Sequence, residues 1–151
     1  MYSALAEQII REQFAGHTDK GGQPYIGHLL RVRATVAEQG GDDICQSIAL
    51  LHDLLEDTDY PPEELARQFP PRVTEAVVAL TKIPGEAYPD YLKRIAQFPD
   101  AVRVKLADLQ DNMDLSRLSQ VTDRDRERLE KYQSAVVFLR KVPPIPDRRT
   151  I

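Results

Sequence analysis

Cysteine is almost absent from this 151-residue sequence, where Cys45 stands alone. That excludes a disulfide scaffold and every Cys-based zinc ribbon or finger. Positive charge is not in excess: twenty Lys+Arg against twenty-four Asp+Glu leave a formal net charge of −4. A general polyanion-binding surface is therefore ruled out, no DNA or RNA partner is expected, and any phosphate recognition must come from a few placed cations. No apolar run approaches the length that spans a bilayer, and the opening MYSALAEQIIREQF is amphipathic rather than a signal sequence. A cytoplasmic chain without membrane contact is expected. Repeats and low-complexity tracts are missing. Histidine is scarce, with only His17, His28 and His52. What is present is ordinary: a 42% hydrophobic share and a length that suits one domain, large enough to bury roughly 70% of its unfolded surface without a staple. A second catalytic module has no room.

Helical spacing accounts for most of the chain. Leu5, Ile9 and Phe14 give a first helix with one buried face. His17 to His28 reads as a loop, broken by paired glycines and a proline. Leu29 to Gln39 resumes helical spacing and Gly40-Gly41 stops it. Asp42 or Asp43 can cap a helix running to about Glu56. Pro61-Pro62 opens a short helix, and Pro70-Pro71 precedes another ending near Lys82. Shorter and longer segments follow over Tyr91–Gln97 and from Asp100 to about Leu118. A last helix from Thr122 or Asp123 is expected to bury Leu129, Tyr132, Val136 and Leu139. Val102–Leu106 alternates like a strand, but Leu109 and Met113 extend it into a helical stripe, and length decides for helix. The expected fold is all-α, seven or eight helices in one domain over 1–141. A proline-containing tail covers 142–151, where Pro143, Pro144 and Pro146 exclude a helix.

The segment DICQSIALLHDLLEDTD carries the most chemical information. At about 100° per residue, Ile44, Ile48, Leu51 and Leu55 share one stripe, widened by Leu50 and Leu54, and His52, Asp53, Glu56 and Asp57 crowd the remaining arc. Ionisable groups on a buried helix need partners or a metal. The alternative is a helix C-terminus with solvated acids, although acids there oppose the macrodipole. In the next candidate segment Lys105, Asp108 and Asn112 share a stripe, and taken alone Lys105–Asp108 reads as a surface ion pair. His28 on its own reads as a hydrogen-bonded histidine, and Lys20, beside two glycines, as a turn lysine or a flexible cation able to reach a phosphate.

Three blocks in order, PYIGH (24–28), ALLHDLLEDT (49–58) and VKLADLQDNM (104–113), closely resemble the HD-domain phosphohydrolases. The subgroup they resemble is the RelA/SpoT-type (p)ppGpp hydrolases with their small stand-alone relatives, the metazoan SpoT homologue type. The resemblance runs from the first helix to about Leu118 and implies a single HD-domain helical bundle. It implies His28, His52, Asp53 and Asp108 as ligands of a divalent metal ion, with Mn²⁺ the ion it points to. The ligand types alone would also tolerate Fe²⁺, Co²⁺, Ni²⁺ or Zn²⁺. Glu56 and Asp57 match the paired acids that position or activate the attacking water, and Lys20 and Asn112 match substrate contacts. The implied reaction is hydrolysis of a phosphorylated nucleotide, release of pyrophosphate from the 3′ position of a (p)ppGpp-like substrate. Three positions depart from the family pattern. Phe14 stands where relatives often carry histidine, and His17 where they usually carry glutamine, so His17 is kept out of the site. Asp19-Lys20 replaces arginine-lysine, and that arginine is the one the family lays against guanine. Asp19 therefore keeps open another nucleotide phosphohydrolase (a nucleotidase or an NADPH 2′-phosphatase); a non-catalytic nucleotide sensor is a more distant alternative, against which the intact Glu56 and Asp57 argue.

Overall fold

The computed structural model describes residues 1–142, so all of the expected tail beyond Val142 lies outside the described residues. The chain forms α1 (Tyr2–Gln13), α2 (Ile26–Glu38), α3 (Asp43–Leu51), α4 (Leu54–Asp57), α5 (Pro62–Gln68), α6 (Pro71–Leu80), α7 (Tyr88–Ile95), α8 (Pro99–Asn112), a 3₁₀ turn (Leu115–Arg117) and α9 (Asp123–Arg140). Counted as the sequence drew them, with α3 and α4 as one helix, these are eight helices. Among the described residues there is no strand, only an isolated bridge between Thr18 and Pro24. No helix there is long and apolar enough to cross a membrane.

Proline places many of these helices. A proline stands in the first turn of α5, α6, α7 and α8, where the missing N–H would have no intrahelical partner in any case. Pro89 thus opens α7 at Tyr88 and not at Tyr91 as the spacing predicts. At the central helix the Asp42 carboxylate accepts from the Cys45 N–H, a side-chain cap. Ile48, Ala49, Leu50 and Leu51 are all fully buried because α3 packs against α1, α2, α6 and α8. Ile48, Leu50 and Leu51 each contribute about 1.5–3 kcal/mol on burial. Val32, Val36, Val73, Val77, Val104 and Leu109 complete the centre of the core.

Other boundaries differ from the expected ones. The helix drawn through Glu56 ends at Leu51, and Asp53 adopts φ −102°, ψ 0° before α4 begins. Helix α2 starts at Ile26, which moves His28 from a loop into a first turn, with its N–H on the Tyr25 carbonyl. The loop closes early because Asp19 Oδ1 accepts from the N–H groups of Gly21 and Gln23. Helix α8 stops at Asn112, where Asp114 takes over by accepting from the Ser116 N–H and hydroxyl. In α9, Leu139 is buried together with Ala135, but Leu129, Tyr132 and Val136 are only half-buried. Among the described residues that helix packs chiefly on α8, which leaves its outer face to solvent.

Candidate metal centre and the cavity beside it

Helix α8 turns a polar face inward. Lys105 is 8% exposed and Asp108 4%, so this is a buried pair and not the surface one its spacing suggests. Lys105 Nζ donates to Asp108 Oδ2 at 2.9 Å, lies over the Tyr91 ring, and leaves Oδ1 for other partners. Toward Oδ1 point two imidazoles: His28 Nε2 at 2.9 Å from the first turn of α2, and His52 Nε2 at 3.3 Å from the end of α3. Asp53 Oδ2, at the α3–α4 break, lies 3.1 Å from His52 Nε2 and 3.8 Å from His28 Nε2. The break in the helix aims His52 and Asp53 at one point from adjacent positions, which a continuous helix would splay by about 100°.

The far nitrogen of each ring decides what the near one offers. His52 Nδ1 lies 2.6 Å from the Ala49 carbonyl, and His28 Nδ1 lies 2.7 Å from Asp111 Oδ2. A carbonyl and a carboxylate only accept, so both Nδ1 atoms carry hydrogen, and each Nε2, once its own proton leaves, turns its lone pair toward the carboxylates. His52 Nε2 is fully buried without a hydrogen-bond partner. Two imidazole nitrogens and two carboxylates around an orphaned buried lone pair fit a divalent cation of borderline or hard character. The ligand atoms of His28, His52 and Asp108 all lie within 4.8 Å of one another; Asp53 is outside that group of three, with its Oδ2 3.1 Å and 3.8 Å from the two Nε2 atoms.

Without a cation the charges hold one another. Burial disfavours the His52 imidazolium, but Asp53 and Asp108 outweigh it and hold its pKa well above the usual range. At His28 burial is likewise outweighed, by Asp108 and Asp111. Burial raises Asp108, and Lys105 and His52 more than reverse that, leaving it well below the ordinary carboxylate value. At Asp57 the balance goes the other way: burial, Asp53 and Glu56, only partly offset by His52 and His17, push its carboxyl up to about 6.

Of the paired acids, Asp57 thus feels the charge of the cluster, and Glu56 Oε1 accepts the Lys82 backbone N–H at 3.0 Å. Asn112 Nδ2 donates to Asp108 Oδ1 at 3.0 Å. Lys20 lies at a cavity of about 340 Å³ that also touches Asp19, Tyr25, His28, Asp111 and Asn112, with Arg31, Arg117 and Arg128 as further cations. His17 is exposed and stays out of the cluster. Two residues were missed from the sequence. Tyr25 donates its hydroxyl to Asp53 Oδ2 at 2.6 Å and stacks on Phe14. Asp111 supports His28, and its signal was available: three residues after Asp108 on a helix, it falls beside the same face.

A bundle of this topology with a His–Asp pair at a helix break defines a class of metal-binding helical domain, and comparison with known proteins gives it a family. The HD domain family model matches residues 4–137, and the chain belongs to the HD domain family. It is 36% identical over 116 residues to the guanosine-3′,5′-bis(diphosphate) 3′-pyrophosphohydrolase of Aquifex aeolicus, covering 72% of this chain and 17% of that protein. It is 36% identical over 139 residues to the GTP pyrophosphokinase of Streptomyces coelicolor, covering 84% of this chain and 16% of that one. The chain therefore spans less than a fifth of the length of these curated relatives. A solved structure of a metazoan SpoT orthologue, described as hydrolysing ppGpp and playing a role in starvation responses, superposes with a TM-score of 0.78 at 25% identity, over 93% of this chain and 86% of that one.

Proposed function

We propose that this chain is a metal-dependent phosphohydrolase that releases pyrophosphate from the 3′ position of (p)ppGpp. The observation that carries the reading is the convergence of two Nε2 lone pairs and two carboxylates beside a cation-lined cavity. The similarity to a named 3′-pyrophosphohydrolase and to the metazoan orthologue supports the choice of substrate.

His28, His52, Asp53 and Asp108 would hold the ion, with Mn²⁺ the ion of choice. A divalent ion there supplies Lewis acidity toward a phosphoryl oxygen and makes hydroxide available from water near neutral pH. The chain's own groups do the rest. Lys105 fixes the outer oxygen of Asp108, and Tyr25 donates to Asp53 Oδ2, the inward-facing oxygen itself, and so orients that carboxylate. Asp57, with its carboxyl up to about 6, is matched to accept a proton from the attacking water close to neutral pH, and Glu56 beside it keeps that affinity raised. Lys20 and Arg128 at the cavity offset charge on the polyphosphate, and Asn112, exposed in its lining, is placed to hydrogen-bond the nucleotide.

Asp19 supports a second reading, another nucleotide phosphohydrolase such as a nucleotidase or NADPH 2′-phosphatase. Its carboxylate lines the cavity and is spent on shaping the loop, so it offers no cation to a guanine base. A screen for phosphate and pyrophosphate release with Mn²⁺ separates the two. The expected result is GDP and pyrophosphate from ppGpp, lost in Asp53→Ala with the helical fold retained. Turnover of 2′-phosphorylated or simple nucleotides in place of ppGpp would favour the second reading, and no turnover of any would remove both.

A further inference from the structure

The two imidazoles of the cluster are held by different means. His52 Nδ1 faces a backbone carbonyl, Ala49 O, which no side-chain change removes. His28 Nδ1 faces a side chain, Asp111 Oδ2 at 2.7 Å, and the pair is almost closed to solvent, at 5% and 12% side-chain exposure. We propose that Asp111 is the positioning residue for His28, holding its ring in the Nδ1–H form so that Nε2 is committed to the metal. The proposal rests on the metal reading given above.

Asp111 is itself fixed from two further elements. Arg31, one turn beyond His28 on α2, donates Nε to Asp111 Oδ1 at 2.8 Å and Nη2 to Oδ2 at 3.2 Å. Arg117, in the 3₁₀ turn, donates Nη2 to the Asp111 carbonyl at 2.9 Å and lies 3.3 Å from Oδ1. A two-pronged guanidinium contact fixes the plane of a carboxylate and not merely its position. With its plane fixed, Oδ2 offers His28 Nδ1 a single direction, and the imidazole has neither rotational freedom about its outer bond nor a choice of tautomer. A neutral imidazole lacking that acceptor can carry its hydrogen on either nitrogen, and in one of the two forms Nε2 is no ligand at all. Carboxylate support of a ligating histidine typically changes metal affinity by about 10- to 100-fold. Arg31 and Arg117 also line the cavity, so the carboxylate that orients the ligand also sets where the two inner cations of the substrate wall stand.

The test uses the whole chain and two readouts besides turnover. Mn²⁺ affinity is measured by the electron paramagnetic resonance of free ion, and the His28 ring nitrogens by ¹⁵N NMR of the Zn²⁺-loaded protein, which is diamagnetic. Wild type should show His28 with Nδ1–H and Nε2 ligated. Asp111→Ala should lose about 10- to 100-fold in Mn²⁺ affinity, with the His28 Nδ1–H signal shifted or divided between two forms. Asp111→Asn keeps an acceptor and should recover part of the loss, and it carries the test if the alanine variant fails to fold. Arg31→Gln leaves the His28–Asp111 bond in place and should change affinity least of the three. Wild-type affinity and an unmoved Nδ1–H signal in Asp111→Ala would overturn the proposal and leave the metal reading standing. Failure of the wild-type chain to bind Mn²⁺ would overturn the metal reading, and this proposal with it.

Discussion

At the scale of single residues, the account turns on protons held where a cation belongs. His28 and His52 are kept protonated by Asp53, Asp108 and Asp111, so an incoming ion has to displace protons to reach the two Nε2 atoms. Mn²⁺ affinity should therefore rise as pH climbs above the ordinary imidazole value of about 6.5, and calorimetry in buffers of different ionisation enthalpy should register proton release. A pH-independent affinity with no proton release would contradict this. Asp57 is shifted upward as well, and here the consequence is for stability. Its carboxyl is raised from 3.8 to about 6, so the folded chain retains a proton there that the unfolded chain has lost. Stability is penalised as pH rises through that window, and the penalty is complete above it. Asp57→Asn removes the penalty. Because this side chain is exposed, solvent screening reduces the gain to about 1 kcal/mol at neutral pH, and none is expected below pH about 4. Thermal unfolding of the metal-free variant at the two pH values checks it. Turnover of the same variant should fall by at least about a hundredfold, a trade of activity against stability that a merely structural acid would not show.

At the scale of elements, the site depends on where helices begin and end. The Gly40-Gly41 turn is the tightest such point. Gly40 holds φ +87°, and a Cβ on Gly41 would stand 2.4 Å from Val36 Cγ1 and 2.8 Å from the Val36 carbonyl oxygen. Gly41→Ala should cost about 1–3 kcal/mol, the usual scale for forcing atoms into a packed site. Thr122→Ala, which removes the capping box of α9, should cost about 1 kcal/mol. Chemical denaturation orders the two, and an unchanged midpoint for Gly41→Ala would show that α2 and α3 are not locked at this turn. Elements were largely legible because apolar spacing and proline placement both report helices. Their ends were less so. The α3–α4 break has no glycine or proline to announce it; it follows from tertiary contacts that pull His52 and Asp53 inward. Helix α8 was misread on its polar side for a related reason. Lys105 and Asp108 are individually surface-type residues, and only pairing with each other and with the histidines makes their burial tolerable.

At the scale of the molecule, three distant stretches of sequence meet because α3 runs through the centre and α2 and α8 flank it. The His–Asp dyad and the two outlying ligand candidates were readable through the order and resemblance of three short blocks. Tyr25 was not, since it acts through another side chain and its residue type does not announce that role, whereas Asp111 had a signal in its spacing from Asp108 that was passed over. The same geometry supplies the most direct test of the whole account. Crystals grown with Mn²⁺ and measured at the manganese absorption edge should show one anomalous peak, within bonding distance of His28 Nε2, His52 Nε2, Asp53 and Asp108. A map with no peak among those four side chains, or with manganese bound only elsewhere, would contradict the account.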